Sequence, residues 1–272
     1  AKHEASARAS ATGIYEGLTF FSPNINIFRD PRWGRGMETY GEDPFLTGRL
    51  AVHFVRGLQG DHPDYLRAVA TAKHFAVHSG PEPDRHTFDA VVSERDLRET
   101  YLPAFEATVV EGGVESVMCA YNRVFGDPAC ASSFLLEEIL RGEWGFDGYV
   151  VSDCWAISDI HLRHRVAADE AESAAMSLRA GTDLSCGPEY GSLPEAVRRG
   201  LVNVEELDRA LARLLRARFR LGMFDPPERV PWAGVTTDVV GSGEHRALAL
   251  EAARKSLVLL KNQGSVLPLG DV

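Results

Sequence analysis

The sequence has 272 residues, 44% of them hydrophobic and 25% charged, which is ordinary for a globular protein and long enough to bury a large core. Its formal net charge of −10 argues against binding to nucleic acid or to an anionic membrane surface, because both favour a basic face. No apolar run is long enough to span a bilayer as a helix.

Apolar runs typical of β-strands alternate along the chain with segments of helical period. The candidate strands are 18–28, 67–75, 115–122, 147–154 and 182–186. Strand, helix, strand, helix in this order predicts an α/β fold with a parallel sheet and crossover helices.

The helices carry clear start and stop signals. Asp43 followed by Pro44 predicts an N-cap and the first position of a helix that runs to residue 60. Ser93 with Asp96 is close to a capping box for a helix over 93–113. Further helices are predicted over 132–145, 167–181 and 203–222.

The composition changes after Gly222. Residues 223–242 are rich in Pro, Gly and Thr and are typical of a linker, whereas 243–272 predict a helix followed by an apolar strand. We therefore predict a first domain over 1–222, a linker over 223–242 and the start of a second domain over 243–272. The chain starts without methionine and stops after an apolar run, so we expect that it is cut at both ends and that any signal peptide lies upstream.

Polar residues lie where three of the predicted strands end. They are Lys73 with His74, Tyr121 with Asn122, and Ser152 with Asp153. Both a (β/α)8 barrel and a doubly wound sheet place ligands at the carboxyl ends of their strands, so this pattern predicts a site without choosing between the two folds. No GxGxxG follows the first strand and no GxxxxGK[ST] occurs, which argues against a nucleotide site.

Asp153 follows the short apolar run Tyr149, Val150 and Val151 at the end of a predicted strand. A buried charge is costly unless it has partners, so the carboxylate needs a structural or a functional reason. One interpretation is that it caps the following helix over 155–162. The other is a nucleophile held at a rigid strand end, with a pKa that Lys73 and Arg35 would lower.

Five longer motifs occur in order along the chain. They are RDPRWGRGMETYGEDP at 29–44, AKHFAVHSGPEPDRHTFDA at 72–90, SVMCAYNRVFGDPACAS at 116–132, GFDGYVVSDCWAI at 145–157 and ARKSLVLLKN at 253–262. Together they resemble glycoside hydrolase family 3, in particular its two-domain β-xylosidase and β-glucosidase branch. The resemblance implies a TIM (β/α)8-type barrel, truncated at its N-terminus here, followed by a linker and an α/β sandwich domain.

The same resemblance implies a retaining, exo-acting hydrolase that releases terminal β-linked xylose or glucose from oligosaccharides. Asp153 matches the nucleophile. The positions that match residues around the terminal sugar are Arg35, Lys73, His74, Met118, Tyr121 and Cys154. The general acid/base, a glutamate in this branch, is expected in the second domain beyond this chain. No cofactor is expected, and a periplasmic or secreted location fits the family.

Structural interpretations of these residues stay open beside the functional ones. Lys73 and His74 could form a solvated edge or a buried polar pair instead of binding sugar hydroxyls. Arg35 could belong to a surface ion-pair cluster, or the same pairs could orient it into the pocket. The acidic residues of that cluster are Asp30, Glu38 and Glu42.

The histidines and cysteines do not suggest a metal. His74 and His78 have the four-residue spacing of a helical metal pair, but no HExxH is present and the segment is predicted as strand then loop. The cysteines match no CxxC pattern, so we expect buried thiols instead of a zinc site. They are Cys119, Cys130, Cys154 and Cys186.

Two alternative functions are weighed. The loop KHFAVHSGPEPDRH also fits the family's β-N-acetylglucosaminidases, which would make His86, paired with Asp84, the acid/base. Against this, Ala76 and Val77 replace that subgroup's proline-glycine, and Cys154 replaces an aspartate of its SDD motif. The other alternative is a non-catalytic carbohydrate-binding remnant, against which the intact Asp153 argues.

Overall fold

A computed structural model describes residues 17–270 of the chain. Its strands are β1 (Thr19–Phe20), β2 (Val69–Phe75), β3 (Asp89–Ala90), β4 (Ser116–Cys119), β5 (Arg123–Val124), β6 (Asp127–Pro128) and β7 (Tyr149–Ser152). Four of them form a parallel sheet in the order β1-β2-β4-β7, and β3, β5 and β6 form a small second sheet. The predicted α/β class with a parallel sheet is confirmed.

Single bridges extend the central sheet on both sides. Asn24 pairs with Lys73 beside β2, and Leu184 pairs with Val151 beside β7. The predicted strands over 18–28 and 182–186 are therefore much shorter than their apolar runs suggested. Over the described residues the sheet does not close, and the complete barrel stays an expectation from the resemblance.

Helices cover the sheet and connect its strands. They are α1 (Pro44–Gln59), α2 (Glu94–Asp96), α3 (Pro103–Val110), α4 (Ala156–Leu162), α5 (Glu170–Arg179), α6 (Leu193–Arg198), α7 (Val204–Arg220) and α8 (Gly243–Ser256), with wider π-type turns over Leu97–Tyr101 and Phe134–Glu143. Each predicted helical segment contains one of these helices or runs of helices.

The predicted helix starts are formed by local hydrogen bonds. The Asp43 side chain accepts from the backbone N–H of Leu46 at 2.8 Å, with Pro44 at the first helical position. Ser93 accepts from the Asp96 N–H at 3.0 Å. A capping box on α7 was not predicted, although its residues Asn203 and Glu206 have the required spacing. These caps depend on neighbouring residues alone, which is why the sequence reveals them.

Apolar clusters hold both faces of the central sheet. On one face Phe75 packs in a buried cluster with Phe105, Ile139 and other residues of the covering helices. On the other face Val69 and Val151 pack with residues of the α7 end. Because both faces are packed, the carboxyl ends of the strands are held rigidly, which is what a catalytic side chain there requires.

A buried carboxylate also stabilises the sheet. Asp183 accepts from the backbone N–H of Val150 at 2.8 Å and pairs with Arg141 and Arg213, each at 2.9 Å. Burial raises the pKa of Asp183, and the two arginines oppose that rise only in part. This group joins the segment after α5 to β7 and to α7.

The four cysteines form two disulfides, so the expectation of buried thiols is wrong. Cys119 at the end of β4 is bonded to Cys130, and Cys154 just after β7 is bonded to Cys186. The partners are 11 and 32 residues apart in sequence and have no local motif. Cys154 and Cys186 meet because Leu184 pairs with Val151 beside β7, and Cys119 meets Cys130 in the short turn Ala129–Ala131.

The residues after Val230 pack little against the rest. Trp232 still contacts His62 and Arg67, but α8 has no buried residue, and the apolar run after it pairs with no strand of the described part. The predicted division into domains and linker stays a prediction. Within 17–270 no helix is both long and apolar enough to cross a membrane.

Candidate active site

The carboxylate of Asp153 follows the last residue of β7 and is almost buried, with 8% of the residue exposed. Its Oδ1 accepts from the backbone N–H of Cys154 at 2.8 Å. The helix behind it, α4, starts after Trp155 without a side-chain cap. Asp153 therefore does not act as that helix's cap, and the structural interpretation of this carboxylate loses its support.

Two basic side chains flank the other carboxylate oxygen. The distance from Asp153 Oδ2 to Arg35 Nη1 is 3.6 Å, and the distance to His74 Nε2 is 3.4 Å. Arg35 comes from the loop after β1 and His74 from the end of β2. The structure thus brings together three of the predicted residues, which are far apart in sequence.

Glu38 holds the cations of the site in place. It accepts two hydrogen bonds from Arg35, at 2.7 and 3.0 Å, and its Oε2 lies 3.7 Å from Lys73 Nζ. The hydrogen bond from Arg35 lowers the pKa of Glu38. Of the predicted surface cluster, Asp30 pairs instead with Arg32. The Glu38 pairs therefore orient Arg35 toward Asp153, as the functional interpretation expects.

The pKa of Asp153 is raised, contrary to the expectation that nearby cations would lower it. Burial is the largest cause and acts upward, while the Cys154 N–H, Arg35 and Lys73 act downward. Desolvation also lowers the pKa of Lys73. The sequence shows which charges are near in a motif but not how much water the fold removes from them.

Tyr121 lies beside the same carboxylate. Burial and the charge of Asp153 raise the pKa of Tyr121, so the phenol keeps its proton. The Tyr121 hydroxyl in turn favours the charged form of Asp153. Its ring contacts His86, with ring centroids 4.5 Å apart.

Met118 and Cys154 have less direct positions. Met118 is 1% exposed and lies in the apolar cluster with Val69 and Val151. Cys154 contributes its N–H to Asp153, and its disulfide lines an apolar cavity of about 600 Å³ between β1, β7 and α7. Their predicted role in lining the sugar site stays a prediction.

His86 is paired with a different residue from the one expected. Its Nδ1 lies 2.6 Å from Oδ2 of Asp159 on α4, whereas Asp84 was the predicted partner. The imidazole is 42% exposed and the carboxylate 9%. The pairing proposed by analogy with glucosaminidases is therefore wrong, although His86 does lie next to Tyr121 at the site.

Two buried histidines, His74 and His78, lie next to each other beside Asp153. The rings of His74 and His78 are 4.8 Å apart, and each ring bonds an asparagine, Asn26 or Asn122. Burial lowers the pKa of His78 to about 3 and that of His74 well below its ordinary value. Within 17–270 no group of three or more His, Cys, Asp or Glu is placed to hold a metal ion.

Sequence reasoning missed the residues that support the site. They are Asn24, which donates to Glu38, the two asparagines on the histidines, and Asp159 on His86. Asn122 was noted only as a strand-end residue. Their side chains act through contacts about 14 to 73 residues away in sequence, so no local spacing signals them.

The chain is similar to glycosidases over nearly its whole length. The sequence profile of the glycosyl hydrolase family 3 N-terminal domain matches residues 3–217. A xylan 1,4-beta-xylosidase of Xylanibacter ruminicola is 49% identical over 93% of this chain, and a probable beta-D-xylosidase of Arabidopsis thaliana is 44% identical over 95%. The chain spans 30% and 36% of these two relatives, about a third of their length.

Solved structures show the same likeness. A family 3 exo-beta-xylosidase in complex with a xylobiose aziridine probe superposes with a TM-score of 0.89 at 38% identity, over 98% of this chain and 35% of that one. A Listeria innocua beta-glucosidase in complex with glucose gives a TM-score of 0.85 at 36% identity, over 93% of this chain and 35% of that one.

Proposed function

Because the chain belongs to glycosyl hydrolase family 3, we propose that this protein is a retaining, exo-acting glycosidase with Asp153 as its nucleophile. Its substrate would be an oligosaccharide with a terminal β-linked xylose or glucose. The observation that carries the proposal is the burial of Asp153 at the end of β7, with Arg35 and His74 on either side of one carboxylate oxygen.

The geometry suits nucleophilic attack on an anomeric carbon. The strand end and the Cys154 N–H fix the orientation of the carboxylate, and Oδ2 accepts no hydrogen bond from another described residue. Arg35 and Lys73 would keep Asp153 ionised against its raised pKa at neutral pH. A short side chain on a rigid element attacks with little loss of orientational entropy.

A second group must protonate the leaving oxygen, with its carboxyl about 5–5.5 Å from the nucleophile in a retaining enzyme. Glu38 is a poor acid because Arg35 lowers its pKa. We therefore propose that a glutamate of the second domain supplies this proton, as in the branch that the sequence resembles. Arg35, Lys73, His74 and Tyr121 would hold hydroxyls of the terminal sugar.

Xylose is the favoured terminal sugar. Both curated relatives described above carry xylosidase names, and the SDCWAI motif around Asp153 resembles xylosidases. Glucose differs from xylose by one hydroxymethyl group. The similarity to the Listeria innocua beta-glucosidase therefore makes glucose the second candidate for the terminal sugar.

The direct test is labelling with a 2-fluoro-β-xyloside that carries a good leaving group. The full-length protein should be inactivated with time, and mass spectrometry should place one fluoroxylosyl group on Asp153. An Asp153→Asn variant is the matched control and should take no label. Labelling of a different residue would refute the assignment of Asp153. Reaction with the fluoro-glucoside alone would show that the terminal sugar is glucose and not xylose.

A further inference from the structure

The amide of Asn26 is fixed in one orientation by the backbone of His74. Asn26 Nδ2 donates to the carbonyl of His74 at 2.8 Å, and Asn26 Oδ1 accepts from the N–H of His74, also at 2.8 Å. A flipped amide would place a donor against a donor and an acceptor against an acceptor. The oxygen of Asn26 must therefore face the peptide N–H.

The same oxygen also faces the His74 ring. Asn26 Oδ1 lies 3.0 Å from Nδ1 of His74, and since it can only accept, the ring must carry its proton on Nδ1. The ring is fully buried, 0% exposed, and desolvation acts strongly against a second proton. The positive side chains around it, Arg35, Lys73 and Arg85, act in the same direction, as does His78.

The opposite tautomer would fit less well. A proton on Nε2 would face Asp153 Oδ2 only at 3.4 Å and would leave Nδ1 as an acceptor against the Asn26 oxygen at 3.0 Å. The Nδ1–H tautomer instead leaves Nε2 as a buried acceptor without a hydrogen bond from a described residue. Asp153 Oδ2 beside it also accepts no such bond.

We propose that Asn26 is a positioning residue that locks His74 as an acceptor, so that Nε2 of His74 receives a hydrogen bond from a hydroxyl of the terminal sugar. This inference rests on the proposed function. It reverses the simplest expectation for a Lys-His pair, in which both side chains donate to the sugar. Here Lys73 and Arg35 are the donors, and His74 selects a hydroxyl by accepting from it.

His78 is held by the same device. Asn122 Nδ2 donates to the carbonyls of Ala76 and Arg123 at 3.2 and 3.0 Å, which turns its Oδ1 toward Nδ1 of His78 at 3.0 Å. This second pair is a matched control, because its asparagine is hydrogen-bonded to the ring of His78, whereas Asn26 is hydrogen-bonded to the ring of His74.

The test reads the tautomer directly in full-length protein with ¹⁵N-labelled histidine rings, with His74→Gln used to assign the signals. In the wild type we expect Nδ1 of His74 to be protonated and Nε2 to be bare between pH 6 and pH 8 (roughly the range around the ordinary histidine pKa). D-Xylose, the probe, should shift the Nε2 signal in the direction of an accepted hydrogen bond. An Nε2–H tautomer, or an Nε2 signal that saturating xylose leaves unmoved, would overturn the proposal.

Asn26→Asp adds a causal test. Its carboxylate should draw a second proton onto His74, so that Nε2 becomes a donor near neutral pH. The kcat/KM for an aryl β-xyloside should then fall about ten- to hundredfold and recover partly as the pH rises. Asn122→Asp should leave the His74 tautomer as in the wild type. A His74 tautomer unchanged by Asn26→Asp would refute the lock.

The outcomes separate this inference from the proposed function. Fluoro-xyloside labelling of Asp153 together with an Nε2–H tautomer would keep the glycosidase and remove the lock. A bare Nε2 that responds to D-xylose, in a protein that neither turns over nor labels, would keep the lock and remove the catalytic proposal.

Discussion

Helices α7 and α8 start from similar local signals and end in different environments. Asn203 caps α7 and Ser242 caps α8, each accepting from a backbone N–H three residues on. Yet Ala210 and Ala217 of α7 are buried, Ala217 in the cluster on β2, β4 and β7, whereas α8 buries no residue. Val230 is the last buried hydrophobic residue of the described chain.

The difference shows that local signals are enough to form a helix but not to pack it. The apolar residues after α8 are exposed, with Leu257 at 80% and Leu260 at 91%. The strand ends before residue 190 have the opposite property, because charged groups there are buried and held by several contacts. Substitutions should therefore have large effects at the strand ends and small effects in the residues after Val230.

The largest effect is expected at Asp153, the proposed nucleophile. Asp153→Asn is nearly isosteric and should lower kcat by at least about a thousandfold, because it removes the attacking carboxylate. Turnover of an aryl β-xyloside by the full-length protein measures this. Asp147→Asn, at an exposed carboxylate before β7, is the control and should keep full activity. Retained turnover in Asp153→Asn would show that the nucleophile lies elsewhere.

The same variant should be more stable than the wild type at neutral pH. The folded pKa of Asp153 is raised, so the folded state holds its proton more tightly than the unfolded state does. The carboxylate therefore costs stability as the pH rises from its ordinary value of 3.8 through the folded pKa, and the full cost remains above it. Thermal unfolding should show a higher Tm for Asp153→Asn at pH 7 and no difference at about pH 3. A lower Tm at pH 7 would contradict the burial argument.

A loss of stability is expected at the buried structural carboxylate, Asp183. Asp183→Ala should destabilise the fold by about 3–5 kcal/mol, since it leaves Arg141 without its buried partner. Denaturant unfolding measures this change. Asp147→Ala removes an exposed partner of Arg216 on α7, and it should cost less than about 0.5 kcal/mol. Equal losses in both variants would mean that burial does not decide the outcome.

A smaller effect is expected at Lys73, the lysine that we propose binds the sugar. Lys73→Ala should lower kcat/KM by an amount that corresponds to about 1–3 kcal/mol of lost transition-state stabilisation, because the proposed hydrogen bond from Lys73 to a sugar hydroxyl is removed. Lys255→Ala on α8 removes a lysine that is 75% exposed and paired with Glu251, and it should leave kcat/KM unchanged. Equal kcat/KM in wild type and Lys73→Ala would return Lys73 to a structural role.

The smallest effect on stability is expected from removing the exposed region. A chain that stops at residue 240 keeps Val230 and Trp232 and should unfold at the same temperature as the 272-residue chain. It should also associate less, because exposed apolar residues such as Leu257 are gone. Light scattering and thermal unfolding on the two chains decide this. A clear fall in Tm would show that the residues after 240 do pack against the rest of the chain and stabilise it.

The sequence by itself determined the α/β class, the helix starts and the position of Asp153 at a strand end. These features depend on residues that are neighbours in sequence, such as the Asp43–Pro44 cap, or on motifs long enough to identify the family. The resemblance also supplied Arg35, Lys73 and His74, which the fold places around the cluster.

Only the tertiary structure decided the partners and the pKa shifts of the residues around Asp153. The disulfides, the Asp159 partner of His86 and the asparagines on the two buried histidines are contacts between distant segments. The direction of the Asp153 pKa shift also follows from the fold, because the amount of water removed from a carboxylate depends on every element packed around it. The sequence shows which charged residues are present, whereas the tertiary structure decides how far each of them is removed from water.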